Sequence, residues 1–172
     1  GEGQDAQFIE ATGIQAGMPI GPLALTDEVS LSLMDHIKKQ TVKDLEAEGK
    51  PVPTHPAHSV SDKMIDLKRF GKAAGQGFYD YPQGGKKHLW SGLKDLFPAQ
   101  VQMPQQEMID RLLFVQSLDT VRCLEEGVLT SVADANIGSV FGWGFAPFHG
   151  GTLQFINAYG LDKFIGRAQE LE

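Results

Sequence analysis

The fold turns on one stretch: Gly13-Ile14-Gln15-Ala16-Gly17-Met18-Pro19-Ile20-Gly21-Pro22-Leu23-Ala24-Leu25-Thr26-Asp27-Glu28-Val29-Ser30-Leu31. Its first ten residues are too rich in glycine and proline for a helix interior, because glycine loses backbone entropy and proline lacks an N–H. Pro22 suits the first position of a helix, where the missing N–H costs nothing. Upstream, Asp5 reads as the N-cap of a helix over 5–12 that Gly13 closes. Downstream, Val29, Leu33, Ile37, Thr41 and Leu45 recur every four residues. That period predicts a long amphipathic helix ending near Glu48-Gly49, with a small break at 27–30.

Pro51, Pro53 and Pro56 make 50–59 an irregular connection, after which Ser61 caps a helix to about Phe70. A loop over 71–81 follows. From 82 to 103 the pattern weakens into a linker with one helical turn at 90–96. The strongest helix spans about 104–126, with one apolar stripe at Phe114, Leu118, Val121, Leu124 and Val128 and another at Met108, Leu112 and Val115. Two stripes imply burial over most of the circumference, and so a central place in its domain. Ser131 and Asp134 open a helix to about Val140; further helices cover about 151–158 and 162 to the end, the last burying Phe164, Ile165, Ala168 and Leu171. No alternating strand pattern of useful length appears. The class is all-α, with domains at 1–81 and 104–172 and the linker 82–103 between.

The chain of 172 residues carries 41% hydrophobic residues and a net charge of −7, so it can bury a core but offers no basic face for nucleic acid. One cysteine excludes an intrachain disulfide and a cysteine-based zinc site. No apolar run reaches the ~18 residues of a membrane span. No leader pattern opens the chain, which points to a cytoplasmic protein. A start at Gly1, so close to the Asp5 cap, reads as a trimmed fragment.

Gly13, Gly17 and Pro22 recur as Gly138, Gly142 and Pro147, each 125 positions later by subtraction. Asp27-x-x-Ser30-Leu31 recurs as Asn157-x-x-Gly160-Leu161, 130 later, so the second copy carries about five extra residues. The pattern predicts two pseudo-repeated helical lobes packed together.

Catalytic chemistry is hard to place. Gly142-Trp143-Gly144 and Gly75-Gln76-Gly77 lack the strand, third glycine or following helix of a nucleotide loop. His55 and His58 sit three apart among prolines without a third ligand, so no metal site is assigned. His149 caps or contacts a ligand at a helix start. His36 and His88 read as surface. Ser30, Ser59 and Ser61 lack a nucleophile elbow, and Asp27 with Glu28 reads as helix polarity.

Gly17-Met18-Pro19-Ile20-Gly21-Pro22-Leu23-Ala24-Leu25-Thr26-Asp27-Glu28-Val29-Ser30-Leu31 resembles the G-x-P-x-G-P-x-x-L-x-D-x-x-G-L signature of 3-hydroxyacyl-CoA dehydrogenase C-terminal domains. Gly75-Gln76-Gly77-Phe78-Tyr79-Asp80-Tyr81 resembles that family's G-x-G-F-Y-x-Y segment. Gly144-Phe145-Ala146-Pro147-Phe148-His149-Gly150-Gly151 resembles the second copy in its long multifunctional members. Departures are Ala73-Ala74 where Lys-Thr is usual and Ser30 where Gly is usual.

The resemblance implies a helical fold like the C-terminal domain of 6-phosphogluconate dehydrogenase. It also implies a parent enzyme of fatty-acid β-oxidation that oxidises a 3-hydroxyacyl-CoA with NAD. The dinucleotide fold and the catalytic His, Glu and Asn of the family lie upstream, so no catalytic, metal or cofactor-binding residue falls in this chain. Gly17, Met18, Pro19, Gly21 and Pro22 are the candidate substrate-cleft loop, with a tight interhelix turn as the competing reading. Implied partners are the acyl-CoA, an upstream NAD-binding domain, and a thiolase subunit or further copies of the chain. A stand-alone helical scaffold that kept the fold without the chemistry is the alternative. A 6-phosphogluconate- or hydroxyisobutyrate-type parent is disfavoured by the second-copy motif.

Overall fold

A computed structural model describes residues 1–172 as nine α-helices and one two-stranded ribbon. No helix is long and apolar enough to cross a membrane. The chain divides into two compact units, residues 1–10 with 22–102 and residues 11–21 with 103–172, so the boundary falls inside the first helix.

Helix α1 (Ala6–Gln15) is capped by Asp5, whose Oδ1 accepts from the N–H groups of Gln7 and Phe8 at 2.9 and 3.1 Å. It runs past Gly13 instead of stopping there; the left-handed residue that ends the turn is Gly17, at φ 96°. The first unit continues with α2 (Pro22–Val29), α3 (Leu31–Ala47) and α4 (Pro56–Asp66). Then come the ribbon β1 (Tyr79–Asp80) with β2 (His88–Leu89) and the short α5 (Leu93–Leu96). Leu31, Met64, Phe78 and Leu93 form its core, with Leu23, Val60, Trp90 and Phe97 packed around them. Residues 82–103, read from the sequence as a linker, therefore supply core side chains. The α4 start corrects the expected cap at Ser61: Pro56 takes the tolerated first position and His55 Nδ1 accepts from Ala57 N at 3.1 Å.

The second unit holds residues 11–21, α6 (Gln105–Glu125), α7 (Val132–Trp143), α8 (Thr152–Tyr159) and α9 (Leu161–Leu171). Ser131 caps α7 by accepting from Asp134 N, as its spacing predicts, and the helix continues to Gly144 at φ 78°. Phe114 of α6 is the centre of the core. It stacks on Phe164 at 4.2 Å and meets Phe155 and Tyr159 edge-on at 5.7 and 5.2 Å. Burying an aromatic ring of this kind contributes about 2–3 kcal/mol, and each ring pair adds roughly 1 kcal/mol.

The duplication is present in the structure, in the 130-residue register of the Asp27-x-x-Ser30-Leu31 and Asn157-x-x-Gly160-Leu161 match and not in the glycine-proline one. Helices α2 and α8 both have eight residues and start 130 apart, at Pro22 and Thr152. Helices α3 and α9 also start 130 apart, at Leu31 and Leu161. The junction residues share one unusual conformation: Ser30 has φ 84° and ψ 128°, Gly160 φ 90° and ψ 123°. The helix N-termini are capped alike. Glu10 Oε1 accepts from the N–H groups of Leu23 and Ala24, and Asn136 Oδ1 accepts from those of Leu153 and Gln154. Glu10 and Asn136 are 126 apart by subtraction, so the second turn is four residues longer. Pro147 is not the counterpart of Pro22, because it opens a 3-10 turn (Pro147–His149) inside that insertion.

Candidate functional site

The loop singled out by the sequence, Gly17 to Pro22, is a packed turn. A Cβ on Gly17 would lie 2.5 Å from Ala146 Cβ and 2.6 Å from Phe148 Cε1, so only glycine lets these chains approach. A Cβ on Gly144 would lie 2.9 Å from Pro19 Cγ. The two glycine-proline turns thus rest on each other within the second unit. Gly21 is buried, Pro22 begins α2, Met18 is half-buried and Pro19 is exposed. The structure brings this loop to residues 144–148 and brings no acid, base or nucleophile to it.

The polar centre lies elsewhere, in the first unit, around Asp27, which the sequence reading takes as a solvated helix side chain. Asp27 on α2 is 1% exposed. Its carboxylate accepts from Phe78 N and Tyr79 N, both at 2.8 Å, and from the Tyr81 hydroxyl at 3.0 Å. A Cβ on Gly77 would sit 2.0 Å from Asp27 Oδ1, so that glycine makes room for the carboxylate. Two further charged residues, Glu10 and Arg69, close the same knot. Glu10 caps α2 with one oxygen and accepts from the Tyr79 hydroxyl with the other at 2.7 Å. Arg69, 6% exposed, donates to Gly77 O at 2.7 Å and Tyr79 O at 3.3 Å, pairs with Asp80, and lies over the Trp90 ring at 4.2 Å. Burial, with the adjacent carboxylates of Glu10 and Asp27, holds both Tyr79 and Tyr81 phenols well above their usual range. The signal in the sequence was the pairing of Asp27 with Gly77-Phe78-Tyr79, which no local pattern displays.

This knot is ill-suited to a dinucleotide. The consecutive N–H groups of the Gly75–Tyr81 loop, the feature that could cradle a phosphate, are occupied by the Asp27 carboxylate, and a second anion there would be repelled. The residues present do not fit NAD. Nor do three or more His, Cys, Asp or Glu side chains gather where they could hold a metal ion. The His55 and His58 rings lie 6.0 Å apart and tilted to each other, with His55 engaged as a helix cap. His149 packs among Phe145, Phe148 and Phe155, and burial lowers its pKa.

An apolar cavity of about 520 Å³ lies in the first unit between Ile9, Leu23, Phe78, Trp90, Leu93 and Phe97. Its one carboxylate, Asp5, is held by the N-terminal amides of α1. Such a site can enclose an apolar group.

The first unit is a helical domain built around a carboxylate-locked Gly-x-Gly-Phe-Tyr loop. Residues 2–81 match the family described as 3-hydroxyacyl-CoA dehydrogenase, C-terminal domain, and this part of the chain belongs to it. Over 165 residues, 95% of its length, the chain is 30% identical to the fatty acid oxidation complex subunit alpha of two strains of Vibrio cholerae serotype O1. It spans only 22% of the length of those relatives. In three dimensions it is similar to the dehydrogenase part of multifunctional enzyme 1 from C. elegans, with TM-score 0.57 and 22% identity. That match covers 74% of this chain and 28% of the other. It shows a shared fold, in agreement with the all-α class.

Proposed function

We propose that the chain is the helical C-terminal part of an NAD-dependent 3-hydroxyacyl-CoA dehydrogenase of fatty-acid β-oxidation, inactive without an upstream NAD-binding domain. The observation that carries this reading is the relationship to fatty acid oxidation complex α subunits along 95% of the chain. The occupied amides of the Gly75–Tyr81 loop support a division of labour in which the cofactor is held by another part of the polypeptide. In this division the helices wall the substrate. Gly17, Gly21 and Pro22 act as the hinge that shapes the turn, while half-buried Met18 and exposed Pro19 are the side chains with surface to offer an acyl chain. The enzyme works in the cytoplasm, takes an acyl-CoA, and assembles with a thiolase subunit or with further copies of itself.

The test compares the isolated chain with the full-length polypeptide, following acetoacetyl-CoA-dependent oxidation of NADH. Turnover is expected from the full-length protein alone. Turnover by the isolated chain, or none by the full-length protein, would refute the proposal.

A further inference from the structure

The apolar cavity of about 520 Å³ in the first unit carries charge at its edge. Its volume falls within the range of small-molecule sites, about 300–1,000 Å³. Phe78 and Leu93 of the core line it, and Leu23, Trp90 and Phe97 complete an apolar wall. Three of these five, Trp90, Leu93 and Phe97, come from the stretch 82–103, so the segment with the weakest helical pattern is the one that closes the cavity. Lys94 of α5 lines it and is exposed. Lys63 of α4, also exposed, holds its ammonium 5.4 Å from the centroid of the Phe97 ring. Neither lysine takes part in any ion pair of the chain, although the protein has 22 acidic side chains and a net charge of −7. Asp5, the one acid in the wall, is turned to the α1 amides that it caps. An apolar interior with unpaired ammonium groups at its edge suits an amphiphile: methylenes leave water inside, and the charged end stays at the surface beside the lysines.

We propose that this cavity binds a single aliphatic chain ending in an anionic group, a carboxylate or a phosphate. The tail lies against Leu23, Phe78 and Trp90, and the anion is held by Lys94 and Lys63. None of the cavity's residues belongs to Gly17–Pro22, the proposed substrate loop, so this inference stands or falls apart from the functional reading. The two lysines decide which ligands enter. A neutral chain gains only the burial of its methylenes, whereas an anion gains in addition an attraction that weakens as salt rises. Gly1 also lines the cavity, so its terminal amine adds a charge that a longer polypeptide would not have.

Decanoate, decyl phosphate, hexanoate and decanol are titrated by calorimetry, each below the concentration at which it aggregates. One of the two decyl anions is expected to bind saturably, and the tighter of them names the head group. Trp90 emission in a Trp143→Phe background should change with the same midpoint, since Trp90 is part of the wall. Hexanoate, with its shorter tail, should bind at least tenfold more weakly than decanoate. The double variant Lys63→Gln/Lys94→Gln alters two exposed side chains and should weaken the tighter anion at least tenfold, while decanol stays within twofold. The titration is repeated in a chain extended upstream by about 30 residues, roughly one helix and its connection. That chain has no amine at Gly1, and the anion should bind it within threefold of the parent. No saturable binding would overturn the proposal, as would a double variant equal to the parent or decanol bound as tightly as the anions. Loss of binding in the extended chain would show that the polypeptide itself fills the cavity, and would overturn it too.

Discussion

Replacing Ser30 with glycine should stabilise the first unit. Ser30 sits at φ 84° and ψ 128°, a conformation that an L side chain reaches only at a cost of about 1–3 kcal/mol. The same junction in the second copy is already glycine, at φ 90° and ψ 123°. Two terms oppose the gain. Glycine costs roughly 0.5–1 kcal/mol through the freedom of the unfolded chain. The hydroxyl contact between Ser30 and Ser32, at 2.5 Å, is lost, and at this half-buried position water replaces part of its ~0.5–1 kcal/mol. A net gain of about 1 kcal/mol follows, or roughly 3 °C in Tm for a chain of this size.

Urea unfolding followed by Trp90 fluorescence in a Trp143→Phe background reads the first unit, since each unit holds one of the two tryptophans. Ser30→Ala keeps the strain and loses the hydroxyl, and should fall below the parent by about 0.5 kcal/mol. Gly160→Ser isolates the torsion: a Cβ there meets nothing within 4 Å, so any loss, expected at about 1–2 kcal/mol, is conformational. A Ser30→Gly midpoint at or below the parent with an unchanged m-value would refute the reasoning, as would a neutral Gly160→Ser.

Three further outcomes are expected. Asp27→Asn leaves an amide N–H₂ facing a backbone donor and should cost the first unit about 3 kcal/mol, measured by the same Trp90 unfolding; a loss under 1 kcal/mol would deny the carboxylate its role. Gly17→Ala forces a Cβ into Ala146 and Phe148 at φ 96° and should cost the second unit about 2–4 kcal/mol, read from Trp143 in a Trp90→Phe background. All three tyrosines, Tyr79, Tyr81 and Tyr159, have pKa values raised chiefly by burial. Their contribution to stability is thus complete below about pH 10, the unfolded value, and drains away as pH climbs toward the folded ones. Tyrosinate absorbance at about pH 10.5 should be lower in the native protein than after adding urea; equal ionisation in the two states would contradict the raised values.

What the sequence disclosed was what the backbone decides locally. Pro22 at a helix start and Asp5 and Ser131 as caps each follow from a missing hydrogen or a local acceptor, and each stands in the structure where expected, whereas Gly13, expected to close the first helix, lies inside it. The faces of the helices were less legible, and α6 shows why. Val115 and Leu118 were read as buried, yet they are 62% and 38% exposed, whereas Ser117 and Thr120 are almost wholly inside. Each of those hydroxyls donates to a carbonyl one turn back in its own helix, Leu113 O and Gln116 O, both at 2.9 Å. A hydroxyl satisfied that way presents its partners with a small, nearly apolar surface, so hydropathy ranks it on the wrong side of the core boundary.

Asp27 fails for the opposite reason. Its burial is affordable only because amides 51 and 52 residues downstream complete its shell, and a carboxylate's surroundings at that separation leave no trace in a helical period. The register of the duplication lay between these cases. Glycine and proline spacing found the repeat but misaligned it, since both residues recur wherever a chain turns. The cap pair Glu10 and Asn136 aligns it, because a residue chosen to accept from two particular amides is tied to that one helix start. Function-bearing correspondences in a duplicated fold are therefore to be sought in paired acceptors and their donors before shared turns.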